Sequence, residues 1–275
     1  MSAPWLAAIL LSLAAEDASK SAPTLEQRLQ EINIQEAKNW DIYLDEARKT
    51  KAELIEKPIY LWTNPTKNGG QFGSVFIWAH AGEPVLVGSI FAHPTEGRRH
   101  LVHEFHVLSE SLIFPECRDG DSQTWQPKGA IKLRPLPGAP APEASAAKRL
   151  IQMRSLGREF GGYTVDWRKQ RWELRLLTQP LYRYEKPAGD AIDGALMAMV
   201  TSAGTDPEVL LLLEARKNGW HYAPLRFSDS SLYVTHGDKE VWTAVRDKDN
   251  LQDNNADFTY RALHKRVLDQ SFNTP

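Results

Sequence analysis

Three of the chain's eight histidines fall within seven residues, in the run Arg98-Arg99-His100-Leu101-Val102-His103-Glu104-Phe105-His106. Histidine and glutamate are the side chains of general acid–base catalysis and of catalytic zinc sites. The spacing is not that of the metalloprotease helix, in which two histidines four apart flank a glutamate; His103-Glu104-Phe105-His106 is one residue short. The Leu, Val and Phe between them favour a strand, which places Glu104 and His106 on one face about 7 Å apart in rise. His100 shares that face but lies about 13 Å from Glu104, too far to share an ion. Glu104 and His106 are therefore the candidate metal ligands, in a metal-assisted hydrolase whose other ligands come from elsewhere. The plainer reading makes them structural or surface residues. His103 points the opposite way with Leu101 and Phe105, as a hydrogen-bonded core histidine does.

Nine tryptophans are the second source of chemistry. Exposed in a groove, indoles stack on sugars or apolar ligands; buried, they are core. Trp78, Trp172 and Trp220 are the candidate ligand-binding residues, although their apolar strands argue for burial. Cys117 is the only cysteine, so there is no disulfide framework, no cysteine-based zinc site and no obvious histidine partner for a nucleophile. Asp253, Asn255 and Asp257 match positions 1, 3 and 5 of a calcium loop, but Phe258 and His264 stand where Gly and Glu are required. Thr205-Asp206-Pro207-Glu208 and the Asp190/Asp193 pair read as turns. There is no phosphate loop, nucleophile elbow or dinucleotide fingerprint, and no motif that asks for a cofactor.

The elements that position these residues begin with a helix from Thr24. Leu25, Leu29, Ile32, Glu36, Trp40, Tyr43, Leu44 and Ala47 keep helical spacing, and Lys57-Pro58 stops it. Strand-like runs follow at 59–62, 74–79, 85–92 and 101–108, separated by short turn signals that favour antiparallel hairpins. If 85–92 and 101–108 pair, His93 lies opposite His100, and Glu104 and His106 lie beside Ser89 and Val87. Residues 134–144, RPLPGAPAPEA, form an extended Pro-rich connector; they also match the form of an SH3 ligand, a weaker reading. An amphipathic helix at 145–160 and strand-like runs at 163–167, 172–178, 195–201, 209–216, 220–227, 232–236 and 241–246 complete a second half. Strands near 75–78, 85–90, 195–201 and 209–213 are apolar on both faces, so either the halves pack on each other or the protein dimerises.

These readings give an α+β fold: two helix-plus-antiparallel-meander units, cystatin-like or NTF2-like in shape. The units span 24–133 and 145–246, joined by the linker, with a polar loop and short closing helix over 247–275. With 33 Lys+Arg against 35 Asp+Glu, the net charge of −2 argues against a dedicated nucleic-acid binder. Trp5–Ala15 is an uncharged apolar run with the length of a signal-peptide core, and Ser12 and Ala14 supply the small residues of a cleavage site. This predicts residues 1–15 as a signal peptide and a secreted or periplasmic product with no membrane span after cleavage.

Gly88-Ser89-Ile90-Phe91, His103-Glu104-Phe105-His106, Arg149–Arg154, Leu174–Tyr184 (LRLLTQPLYRY) and Gly204–Glu214 (GTDPEVLLLLE) together resemble a family of uncharacterised bacterial proteins, often with export signals. The likeness covers most of residues 60–245 and implies a bacterial envelope protein, with no activity and no functional residues carried across. The expectation is an exported protein that binds a small molecule or sugar, a lipid or a peptide between its sheets; the metal-assisted hydrolase is the alternative.

Overall fold

A computed structural model describes residues 22–65, 70–119, 125–185, 190–246 and 258–272. The apolar run at 5–15 and the calcium-like Asp253, Asn255 and Asp257 lie outside the described residues.

The chain is mostly β, 51% strand and 13% helical. In order it forms α1 (Leu25–Lys38), β1 (Trp40–Tyr43), β2 (Lys51–Leu54), β3 (Tyr60–Asn64), β4 (Gln71–His80), β5 (Glu83–Thr95), β6 (Arg98–Val107), β7 (Phe114–Cys117) and β8 (Arg134–Pro135). Then come α2 (Ala146–Gly157), β9 (Phe160–Val165), β10 (Arg171–Leu176), β11 (Tyr182–Glu185), β12 (Ala191–Val200), β13 (Pro207–Arg216), β14 (Gly219–Arg226), β15 (Ser231–His236), β16 (Lys239–Ala244) and β17 (Tyr260–Val267).

The strands make two antiparallel sheets of eight and nine strands, each curled into a half-barrel. The first has the order β17-β6-β5-β4-β2-β1-β7, with β3 also on β4; the second has β16-β15-β9-β10-β12-β13-β14-β8, with β11 also on β12. This overturns the expected α+β class and the cystatin-like or NTF2-like comparison. A meander pairs each strand with its sequence neighbours, but here β7 returns to β1 and β15 to β9, which bends each sheet around its helix.

Three local readings change with it. The first helix ends at Lys38, capped by Asn39, because Trp40 and Ile42 alternate with Asp41 and Tyr43 as a strand requires. It starts as expected, with Thr24 and Gln27 closing a capping box. The closing helix expected within 258–268 is β17, paired along β6 from Tyr260↔His106 to Val267↔His100. The Pro-rich segment contributes β8, which lies on β14 through Tyr222↔Arg134.

Two cores lie under the helices. Leu29 and Ala37 of α1 pack with Trp40, Phe76, Trp78, Leu86 and Phe105. Met153 and Leu156 of α2 pack with Met197, Met199, Leu211, Leu213 and Trp220. The opposite faces of the same strands meet between the sheets: Val75, Ile77 and Val87 against Leu196, Ala198, Leu210, Leu212 and Leu225. This shared core is why β4, β12 and β13 are apolar on both faces. Thr205 adds a polar latch, donating its amide to the Thr63 carbonyl at 2.9 Å and accepting the Thr63 amide at 3.0 Å.

Candidate functional site

β6 alternates strictly. Leu101, His103 and Phe105 face α1; Val102, Glu104 and His106 face the second sheet, in the register Ser89↔Glu104 and Val87↔His106. Both polar residues are buried. Tyr260, opposite His106 on β17, donates its hydroxyl to Glu104 Oε1. His106 Nδ1 lies 2.6 Å from the Val107 carbonyl, so the ring donates there. Burial drives the Glu104 pKa well above the ordinary carboxylate range, against the Tyr260 hydrogen bond and with Asp206, Asp229 and Glu208 adding to the rise. Burial likewise lowers His106 to about 4. The Arg226 guanidinium sits 5.5 Å over the Tyr260 ring and donates to the carbonyls of Ser228, at 2.8 Å, and Ser230.

The structure thus brings Glu104 and His106 together as their spacing requires, and commits both to internal hydrogen bonds. Among the described residues no three His, Cys, Asp or Glu side chains gather as a metal shell. With burial favouring the neutral form of each and solvent kept out, the pair fits a polar joint between sheets better than an acid–base site. Tyr260 and Arg226 are the partners that sequence reasoning missed. Tyr260 was hidden by the helical reading of its segment, although Phe258-Thr259-Tyr260 is rich in the aromatic and β-branched residues of strands.

On the other face of β6, His103 accepts the Trp40 indole N–H on Nδ1 at 3.0 Å, and its Nε2 lies 3.3 Å from Glu36 of α1. Burial pushes Glu36 up, but His103 and Arg266, which donates to Glu36 Oε1 at 2.7 Å, outweigh it and leave its pKa lowered. This group ties α1 to β1, β6 and β17.

The three candidate tryptophans do not converge. Trp78 is buried under α1, donating to the Trp40 carbonyl at 3.3 Å, and Trp220 is buried under α2. Trp172 is half-buried on β10 and donates to Asp166 Oδ2 at 3.3 Å. The space between the sheets, where a ligand was expected, is filled by the shared core.

What remains open is the outer face of β10, β9, β15 and β16. Tyr163 and Tyr233 are register partners stacked at 4.5 Å, and the Arg171 guanidinium lies 3.7 Å over Tyr163. Glu173 pairs with Arg171 at 2.8 Å. At the end of this face, the β9–β10 turn presents Trp167 with 61% of its surface exposed, Arg168 stacked 4.6 Å from its ring. Val245, just after β16, is 58% exposed. The turn is closed by its own hydrogen bonds. Asp166 accepts the amides of Arg168 and Gln170 at 2.9 Å on Oδ1, and Lys169 takes a left-handed φ of 67° while donating to the Asp166 carbonyl. Nothing in the sequence distinguished Trp167 from the other indoles; its place in Asp166-Trp167-Arg168-Lys169, a turn-forming run, was the available signal.

Compared with protein-family models, with curated proteins and with solved structures, the chain matches none.

Proposed function

We propose that the protein is an exported binding protein that engages its partner through the outer face of β10, β9, β15 and β16 and the Trp167 turn, without an enclosed pocket. One observation carries this reading: a large aromatic side chain stands 61% exposed on a turn closed by its own hydrogen bonds. Tyr, Trp and Arg are the side chains that dominate binding energy at interfaces, and here they lie side by side on one surface. Export rests on the apolar run at 5–15 and on the resemblance to bacterial envelope proteins.

The test uses Trp167 as its own reporter. Trp40, Trp62, Trp78, Trp125 and Trp220 are buried, so the difference spectrum between the full chain and its Trp167→Phe variant isolates a solvated indole. It is recorded against soluble oligosaccharides, short peptides and lipid vesicles. A saturable shift with one class supports the reading; a difference spectrum unmoved by every class overturns it.

A further inference from the structure

The two halves carry similar Asp-led turns, and only one puts an indole on its second position. Between β1 and β2, Asp45 accepts the Lys49 and Thr50 amides at 3.1 and 2.7 Å, and Arg48 takes a left-handed φ of 56° while donating to the Asp45 carbonyl at 3.0 Å. Between β9 and β10, Lys169 likewise takes a left-handed φ of 67° and donates to the Asp166 carbonyl, and Asp166 likewise accepts the amide four residues on, that of Gln170; its second amide is that of Arg168, two residues on, where Asp45 takes Thr50, five on. Asp45-Glu46-Ala47-Arg48 therefore superposes in role on Asp166-Trp167-Arg168-Lys169. The turn folds with Glu46 at its second position, so Trp167 is not a requirement of the turn, and leaving an indole in water costs apolar burial it could have had elsewhere.

From this internal comparison we infer that the Trp167 turn is a peripheral docking point for an anionic lipid surface; the inference rests on the surface-binding reading above and names its partner. The chain as a whole is net negative by two, yet Arg168, Lys169 and Arg171 outnumber Asp166 and Glu173, the latter paired to Arg171, at the end of the sheet that carries exposed Trp167 and Val245. An indole with cations beside it matches the headgroup layer: the ring sits among glycerol and acyl carbons, its N–H reaches water or a carbonyl, and Arg and Lys meet phosphate. Nucleic acids and sugars need open ring faces to stack on. Here Tyr163 is stacked on by Tyr233 and Arg171 and one side of Trp167 by Arg168, which leaves a single open ring face at the turn rather than a row of them. Among the described residues no helix is long and apolar enough to cross a membrane, so the contact is to the surface of the bilayer.

The experiment is sedimentation of the full chain with vesicles of phosphatidylglycerol and phosphatidylethanolamine, with phosphatidylcholine vesicles as the neutral control. Binding should require phosphatidylglycerol, weaken as salt rises, and bring Trp167 within reach of quenching by brominated acyl chains. Trp167→Glu, which installs the residue type of the equivalent turn, should weaken binding about tenfold or more, as should Arg168→Glu with Lys169→Glu. Leu61→Glu, at an exposed apolar site on β3, should leave it unchanged. Unchanged circular dichroism and thermal midpoint for Trp167→Glu show that the fold survives. No binding to phosphatidylglycerol vesicles, equal binding to the neutral ones, or binding indifferent to Trp167→Glu each overturns the lipid assignment. So does binding to heparin or an oligonucleotide in the absence of vesicle binding. If vesicles fail while the Trp167 difference spectrum responds to oligosaccharides or peptides, only the lipid assignment falls; if no probe moves Trp167, the surface-binding reading falls with it.

Discussion

Glu104→Gln should stabilise the protein at neutral pH, an unusual expectation for a buried acid with a hydrogen-bonded partner. In the folded chain Glu104 is held between the sheets against Tyr260, and burial raises its pKa well above the ordinary value of 4.5. A raised pKa means that its favourable contribution is complete below the unfolded value and is lost as pH climbs towards the folded one. Over that window the folded chain keeps a proton that the unfolded chain releases, at about 1.4 kcal/mol per pH unit. Glutamine keeps the shape, still accepts from the Tyr260 hydroxyl, and has no proton to hold. The two proteins should therefore match near pH 4 and diverge as pH rises, by about 2–4 °C in thermal midpoint for each kcal/mol in a chain of this size. His106 works in the opposite direction. Lowered to about 4 from 6.5, it contributes stability present above 6.5 and lost as pH falls through 4, on the order of 3 kcal/mol. Midpoints measured from pH 4 to 8 for the parent, Glu104→Gln and His106→Gln separate the two slopes. A Glu104→Gln variant that gains nothing on the parent as pH rises would refute the reasoning: a constant difference means that folding leaves the carboxyl unshifted, and a deficit that grows above pH 4 is the signature of an ionised, paired carboxylate.

Three further outcomes follow from packing and charge. Gly194→Ala should cost about 2–3 kcal/mol in denaturant unfolding, because a Cβ there would lie 2.1 Å from the Tyr184 ring on the adjacent β11. Asp193→Ala should cost about 3–5 kcal/mol: the fully buried carboxylate accepts from Arg149 at 2.8 Å and Arg183 at 2.7 Å, and its loss leaves the buried Arg149 guanidinium without this counter-charge and Arg183 with only the exposed Glu185, at 3.1 Å. Cys117 should resist iodoacetamide at pH 8 until the protein unfolds, with on the order of 100-fold less thiolate than a free cysteine. Burial, with Asp119 accepting its S–H at 3.0 Å, pushes the thiol up to about 11 although Lys265 Nζ lies 3.6 Å away. Alkylation as fast as in the denatured chain would show the thiol to be open.

The parts of the fold that local patterning controls were legible. The long hairpins announce themselves by β-branched and aromatic runs with tight turns between, and alternation alone puts His93 opposite His100 and Glu104 opposite Ser89. Strands made by distant pairing were not. Trp40–Tyr43 also fits the helical period that precedes it, and only Asn39 at the helix end separates the two readings. Tyr260–Val267 owes its strand state to β6, more than 150 residues away, and Arg134–Pro135 owes its state to β14. Helical and strand periods coincide over such short segments, so nothing within them decides. The aromatic site was illegible for a related reason. Trp78, Trp172 and Trp220 look like Trp167 in composition, and burial, which distinguishes them, depends on which strand faces which.

The exchange of edge strands says which surfaces are free to act. After β7 the chain crosses to give β8 to the second sheet, and after β16 it returns to give β17 to the first, so each half-barrel is completed by the other. That exchange, with the apolar core between the sheets, spends the faces of β4, β5, β12, β13 and β14 on folding. Two outer faces are left. On the first, over β2, β1 and β7, charges neutralise one another: Asp41 with Lys51 and Arg118, and Glu116 with Arg48. On the second, at the equivalent place over β10, β9 and β15, stand Tyr163, Tyr233 and Arg171, the last paired with Glu173, and Trp167 is at the turn. Equivalent backbone with inequivalent side chains separates what the fold needs from what it only carries. The first face carries an aromatic pair of its own, Tyr43 on β1 opposite Phe114 on β7, both half-buried, so paired aromatics belong to this corner in both halves; what the second face adds is the exposed Trp167 on its turn, where the first has Glu46, and that indole is the residue free to serve a partner.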